Sequence, residues 1–141
     1  MADAAFRFDY AFLPEGWQKN VRVEIRDGVI AAIGGEGPAT AVHGAALPGL
    51  PNLHSHTFQR GMAGLAEKRG PGSDSFWTWR EVMYRFLGAL TPDDVEAIAA
   101  MAMVEMLEGG FTSLAEFHYL HHAADGASYA DPAELAGRIV A

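Results

Sequence analysis

The clearest alternation in the chain runs through residues 21–26, where Val21, Val23 and Ile25 take turns with Arg22, Glu24 and Arg26. A two-residue period puts the apolar side chains on one face of a strand and the charged ones on the other. Asp27-Gly28 follows, a dipeptide suited to a tight hairpin turn, and leads into the apolar run from Val29 to Ile33, which Gly34-Gly35 closes. Residues 1–47 therefore read as short strands. By themselves they specify a small β-sheet and no activity.

The pattern changes at Leu47. Pro48-Gly49-Leu50-Pro51 punctuates the chain, and Asn52-Leu53-His54-Ser55-His56 reads as a brief extended segment. The stretch from Gly61 to Ser75 is rich in glycine and charge and reads as a long loop. Phe76 to Leu87 is a helix candidate in which Phe76, Trp79, Met83 and Phe86 recur at helical spacing and are expected to bury together. Thr91-Pro92-Asp93-Asp94 begins a second helix, with two acids in its first turn. Val95, Ile98, Ala99, Ala102, Met103 and Met106 make its apolar stripe, and Gly109-Gly110 ends it. Phe111 to Glu116 reads as a second buried strand, followed by a histidine-rich loop.

Asp131-Pro132-Ala133-Glu134 reads as one more helix start, with Asp131 as N-cap and Pro132 at the first helical position. The sequence stops at Ala141, only a few residues into that pattern, so the chain is expected to be a piece of a longer protein. From Leu50 onward, strands alternate with loops and helices, the opening of a parallel β/α fold. The expected division is residues 1–47 and residues 48–141.

Composition narrows the classes of function. Half of the residues are apolar, and eighteen acids against ten bases give a net charge of −8, which disfavours nucleic acid or an anionic membrane as partner. The absence of cysteine removes disulfides and thiolate metal sites and suits a reducing cytosol. No run approaches the ~18 apolar residues of a membrane span, and the start of the chain shows no signal-peptide pattern. A cytoplasmic setting is expected.

His54 and His56 carry the sharpest chemistry. Two residues apart on a strand, their imidazoles share a face and can converge on one ion. The isolated pattern is weak, but its place at the end of a short apolar run is where a barrel strand opens into a catalytic loop. A catalytic zinc site needs about three protein ligands and a water, so further ligands are expected beyond residue 141. Gln59 and Arg60 follow on the loop leaving the strand, where Gln59 could reach a substrate or simply be polar surface. Arg80, among the aromatics of Phe76-Trp77-Thr78-Trp79, is a bidentate partner for a carboxylate or an ordinary solvated arginine. Tyr119 could reach over a site at the strand end, whereas His121 and His122 read as exposed loop residues. Glu116 is an acid/base candidate, and Glu105 reads as a surface residue of its helix.

Three runs, residues 47–56, residues 76–81 (Phe76-Trp77-Thr78-Trp79-Arg80-Glu81) and residues 115–122 (Ala115-Glu116-Phe117-His118-Tyr119-Leu120-His121-His122), together resemble the formimidoylglutamate deiminases of the amidohydrolase superfamily. The H-x-H entry is shared by many members of that superfamily, and the other two runs are the more specific. The resemblance implies an α/β fold: the N-terminal part of a metal-dependent (β/α)8 barrel, preceded by strands of a small β-sandwich. It implies His54 and His56 as metal ligands, Gln59, Arg80 and Tyr119 as substrate contacts, and one divalent ion, Zn2+. The implied reaction is hydrolysis of N-formimino-L-glutamate, a small dicarboxylate, to N-formyl-L-glutamate and ammonia in histidine degradation. That activity, and a homodimer, are expected of the full-length protein, with the acid/base residues beyond residue 141. The rival readings are a superfamily deaminase of a neutral heterocycle, such as guanine, cytosine or a triazine, and a non-catalytic β/α module.

Overall fold

Four strands form from the first third of the chain: β1 (Ala4–Leu13), β2 (Gly16–Arg26), β3 (Val29–Ile33) and β4 (Thr40–Ala46). They come from a computed structural model that describes residues 3–67, 72, 73 and 75–141. The sheet order is β3-β2-β1-β4, with β2 antiparallel to both β1 and β3, and β4 parallel to β1. Asp27 and Gly28 both have positive φ, 50° and 80°, as a type I′ hairpin turn demands. The alternation of β2 is less clean than the sequence suggests. Val21 is buried, but Arg22 and Glu24 on the other face are also half-covered, because Arg22 Nη1 pairs with Glu24 Oε2 at 2.9 Å. The apolar strand β3 is exposed along its whole length. The structure thus holds one four-stranded mixed sheet in the unit Met1–Pro48, distinct from a second unit, Gly49–Ala141.

The second unit is built on two parallel strands, β5 (Leu50–Ser55) and β6 (Phe111–Glu116). Parallel neighbours need a long crossover. Here it holds a 3-10 helix (Thr57–Met62) and two α-helices, α1 (Phe76–Leu87) and α2 (Pro92–Glu108). The 3-10 helix replaces the beginning of the expected Gly61–Ser75 loop; residues 68–71 and 74 of that loop lie outside the described residues. Both α-helices start on capping boxes. Ser75 and Thr78 exchange side-chain and backbone bonds at one, and Thr91 and Asp94 do so at the other, with Pro92 in the first turn. No helix among the described residues is long and apolar enough to cross a membrane.

Two apolar clusters hold the unit together. Phe58 and Met62 from the 3-10 helix bury against Met83 of α1, with Trp79, Phe86 and Tyr119 packed around them. Phe76 stays 63 % exposed, so the expected four-residue stripe of α1 is a three-residue one. Val95 and Ala99 of α2 bury against Leu135 and Ile139 of α3 (Glu134–Val140). That last helix starts two residues later than the sequence suggests. Asp131 Oδ1 accepts from Ala133 N at 2.8 Å, closing a turn ahead of the helix instead of capping it. Neither β5 nor β6 is covered on both faces, and Leu50 and Leu53 are exposed, so β6 is not the buried strand expected.

Gly61 marks the closest approach in the crossover. A Cβ there would stand 2.6 Å from Phe86 Cζ and 2.8 Å from Ile98 Cδ1. Phe86 is held in the Phe58 cluster and has little room to yield. Gly61→Ala is expected to cost about 1–3 kcal/mol of stability, the usual range for overpacking. Gly72→Ala, with nothing among the described residues within 4 Å of its Cβ position, should change stability by less than about 0.5 kcal/mol. Paired denaturant titrations check the contrast, and equal midpoints for the two variants would contradict the packing described.

Candidate metal centre

The parallel ladder of β5 and β6 runs from Leu50 opposite Phe111 to Ser55 opposite Glu116, and its final rung is Phe117 N donating to Ser55 O at 3.0 Å. The ladder is irregular between Asn52 and Ser55. At His54 the backbone N–H turns to the Asn52 side chain, donating to Oδ1 at 3.1 Å, which satisfies a group that the neighbouring strand does not. His56 lies just past the strand as the residue before the 3-10 helix, with an extended φ of −135°. The two-residue period survives this irregularity. His54 Nε2 and His56 Nε2 stand 3.1 Å apart, their rings edge to face.

The surroundings of His56 fix its ring. Its Nδ1 lies 2.6 Å from the carbonyl oxygen of Phe117. A carbonyl can only accept, so Nδ1 carries the hydrogen and the Nε2 lone pair is left toward His54. The Tyr119 ring packs edge-on to His56 at 5.1 Å between centroids. Thr57, the next residue, is 3 % exposed and donates both its N–H, at 2.8 Å, and its hydroxyl, at 3.0 Å, to Glu116 Oε1. His54, His56, Glu116 and Phe117 line one cleft of about 220 Å3.

Gln59 and Tyr119 form the next layer. Gln59 Nε2 donates to Tyr119 Oη at 2.8 Å, and Tyr119 Oη stands 3.6 Å from Met83 Sδ. Tyr119 adopts a left-handed φ of 39°, a conformation that costs a bulky residue about 1–3 kcal/mol and is held here by Gln59, Phe58 and His56. Gln59 sits on the 3-10 helix and not on an open loop. Its neighbour Arg60 forms a two-pronged pair with Glu105 of α2, 2.6 Å at each prong, and that guanidinium holds the Glu105 carboxyl below the usual range.

The structure therefore gathers His54, His56, Gln59 and Tyr119 into one place. Arg80 is not joined to them by any direct contact. Its guanidinium lies over the rings of Trp77 and Tyr84 and donates from Nη2 to Tyr84 Oη at 2.9 Å. No carboxylate among the described residues pairs with it. His118 and His121 bring their rings within 5.2 Å, and burial, more than the nearby His121, pushes the His118 pKa down. His121 and His122 are exposed, as expected of loop residues. Thr57 and the Phe117 carbonyl were invisible in the sequence, since only the pairing of β5 with β6 brings them to the histidines.

Two imidazole nitrogens facing each other suit a cation of intermediate softness. Ligands each ~2.0–2.1 Å from a tetrahedral ion stand about 3.3 Å apart, close to the observed separation. Among the described residues no group of three or more His, Asp or Glu could hold a metal. His54 and His56 are a facing pair of nitrogens and do not by themselves make up such a group.

Comparison with known proteins identifies the family. Residues 9–44 match the family described as formimidoylglutamate deiminase HutF, N-terminal domain, and residues 45–138 match the amidohydrolase family. A formimidoylglutamate deiminase from Pseudomonas aeruginosa is 59% identical over 133 residues, covering 92% of this chain and 29% of the relative. An 8-oxoguanine deaminase from the same organism is 33% identical over 75 residues, 52% of this chain and 16% of that protein. The crystal structure of an amidohydrolase from Brucella melitensis superposes with a TM-score of 0.89 at 50% identity, covering 96% of this chain and 31% of that one. The chain thus spans less than a third of the length of these relatives. Members of the matched family generally use a divalent metal. The chain belongs to the amidohydrolase family.

Proposed function

We propose that this chain is the N-terminal part of a formimidoylglutamate deiminase, with β5 and β6 the first strands of a (β/α)8 barrel and β1–β4 part of a β-sandwich. The reaction is hydrolysis of N-formimino-L-glutamate. Water adds to the formimino carbon, the bond from that carbon to its terminal nitrogen breaks, and N-formyl-L-glutamate and ammonia leave. The observation that carries this reading is the approach of His54 Nε2 to His56 Nε2 at 3.1 Å beside the coupled Gln59–Tyr119 pair. Identity of 59% to a relative bearing that name supports the choice of substrate.

His54 and His56 would hold the ion, a zinc in this reading, together with ligands outside this chain. When bound, a zinc ion lowers the pKa of its water to about 7 and polarises the carbon under attack. The chain's own residues orient the substrate. Gln59 Nε2 is already engaged with Tyr119 Oη, so the pair presents its remaining donor and acceptor atoms as one unit in a fixed direction. The substrate's carboxylates need a cation once they leave water. Arg80 supplies it: the guanidinium is pre-set by Trp77 and Tyr84, and no carboxylate among the described residues competes for it.

Two measurements on the full-length enzyme test this. His54→Ala or His56→Ala should lose bound metal and turnover together, and full metal occupancy by elemental analysis in either variant would remove the ligand assignment. Arg80→Ala should keep its metal but lose about 30-fold to several thousand-fold in kcat/KM for formiminoglutamate, the cost of unpairing a desolvated carboxylate. Arg80→Lys should recover only part, lacking the two-pronged fork. Normal turnover by Arg80→Ala would place Arg80 in packing and favour a neutral heterocycle as substrate.

A further inference from the structure

Residues that begin a helix leave backbone N–H groups without partners, and the residue at the N-cap ordinarily satisfies one with its side chain. His56 occupies that position before the 3-10 helix and makes no such bond. Its ring is committed elsewhere, Nδ1 to Phe117 O and Nε2 toward His54. The capping bond comes instead from the neighbouring strand, where Glu116 Oε1 accepts from Thr57 N and again from Thr57 Oγ1. These two bonds are sheltered because Thr57 is 3 % exposed.

We propose that Glu116 is a positioning residue for His56. By capping the turn from across the sheet, it frees the imidazole from capping and holds the His56–Thr57 segment where Nδ1 reaches the Phe117 carbonyl. Three consecutive residues, Ser55, His56 and Thr57, are thereby bonded to two, Glu116 and Phe117. The backbone rung sets the height of the strand end, the carbonyl sets the tautomer, and the carboxylate sets the direction of the turn. Glu116 acts here as an acceptor at Oε1; its Oε2 is buried with no hydrogen-bond partner among the described residues. The inference rests on the reading of His54 and His56 as metal ligands.

The test uses the full-length protein and zinc affinity measured by competition with a chromophoric chelator. Glu116→Ala should bind zinc about 10–100-fold more weakly, the usual loss when an outer-shell partner of a ligating histidine is removed, while kcat at saturating zinc largely recovers. Glu116→Gln should stay within about threefold of wild type, because the amide oxygen accepts the same two bonds. Thr57→Ala should weaken binding about fivefold, the share of one hydrogen bond, and the double variant Glu116→Ala/Thr57→Ala should be no weaker than Glu116→Ala alone. In the metal-free protein, 15N shifts should show His56 protonated at Nδ1 in wild type and a mixture of tautomers in Glu116→Ala.

Wild-type zinc affinity in folded Glu116→Ala would overturn the proposal. So would a Glu116→Gln variant as weak as Glu116→Ala, which would assign the effect to charge. If Glu116→Ala does not fold, Thr57→Ala decides, and an unchanged affinity there overturns the proposal. If wild type itself binds no zinc, the ligand reading fails, and the His56 tautomer in the metal-free variants still judges the clamp.

Discussion

Everything chemical in the second unit depends on the parallel pairing of β5 with β6. Parallel strands bring like ends together, so the end of one strand meets the end of the other, and loops from both rise on the same side. Ser55 faces Glu116 in that register, and the bonds from His56 and Thr57 to Phe117 and Glu116 lie within two residues of this rung. Slipping the register by one residue would send His54 and His56 to the opposite face. The crossover guards against that slip. Phe58, with no exposed surface, anchors the chain leaving β5 against α1, and the Arg60–Glu105 pair fastens the same turn to α2. Exposed pairs of this kind contribute little individually, but a two-pronged one restricts geometry more than a point contact does.

A division of labour follows between the strands. The end of β5 supplies the facing imidazoles, and the end of β6 with Phe117 supplies the groups that hold them: a backbone N–H, a carbonyl and a carboxylate. The 3-10 helix carries Gln59 into place on a short rigid element, and Tyr119 meets it from the loop after β6 in a backbone conformation bulky residues avoid. Strain of that kind persists where neighbours over-determine it, and Tyr119 has aromatic or polar contacts with Gln59, Phe58, His56, Phe117 and Met83.

The sequence made most of the elements legible, because local signals suffice for them. Thr91-Pro92-Asp93-Asp94 announces a helix through its own capping chemistry, and α2 begins and ends where that pattern says. Asp27-Gly28 specifies its turn through backbone freedom alone. The misreadings fall where tertiary context decides. Gly61 looked like loop punctuation, yet it is a contact point between the 3-10 helix and the helices behind it. Pro132 looked like a first helical residue, but Asp131 spends its side chain on a preceding turn. At the site, the His54–His56 spacing was readable because a strand's period is local. The partner that caps Thr57 lies 59 residues away in sequence, and no local pattern encodes it. Arg80 shows the converse limit: its aromatic setting was readable and observed, while its relation to the histidines was implied by family resemblance only.

The span of the His56–Phe117 bond, 61 residues, also says something about time. Closing a flexible loop of that length costs about 3–4 kcal/mol beyond a constant, by the logarithmic growth of closure entropy with length. Contacts of high sequence separation are slow to form. The capped helices α1 and α2 can assemble from neighbours, but the histidine pair acquires its geometry only after the crossover has shut. An ion held at this pair, as proposed, would act on the finished strand end as a late lock, stabilising by mass action a state the chain has already reached.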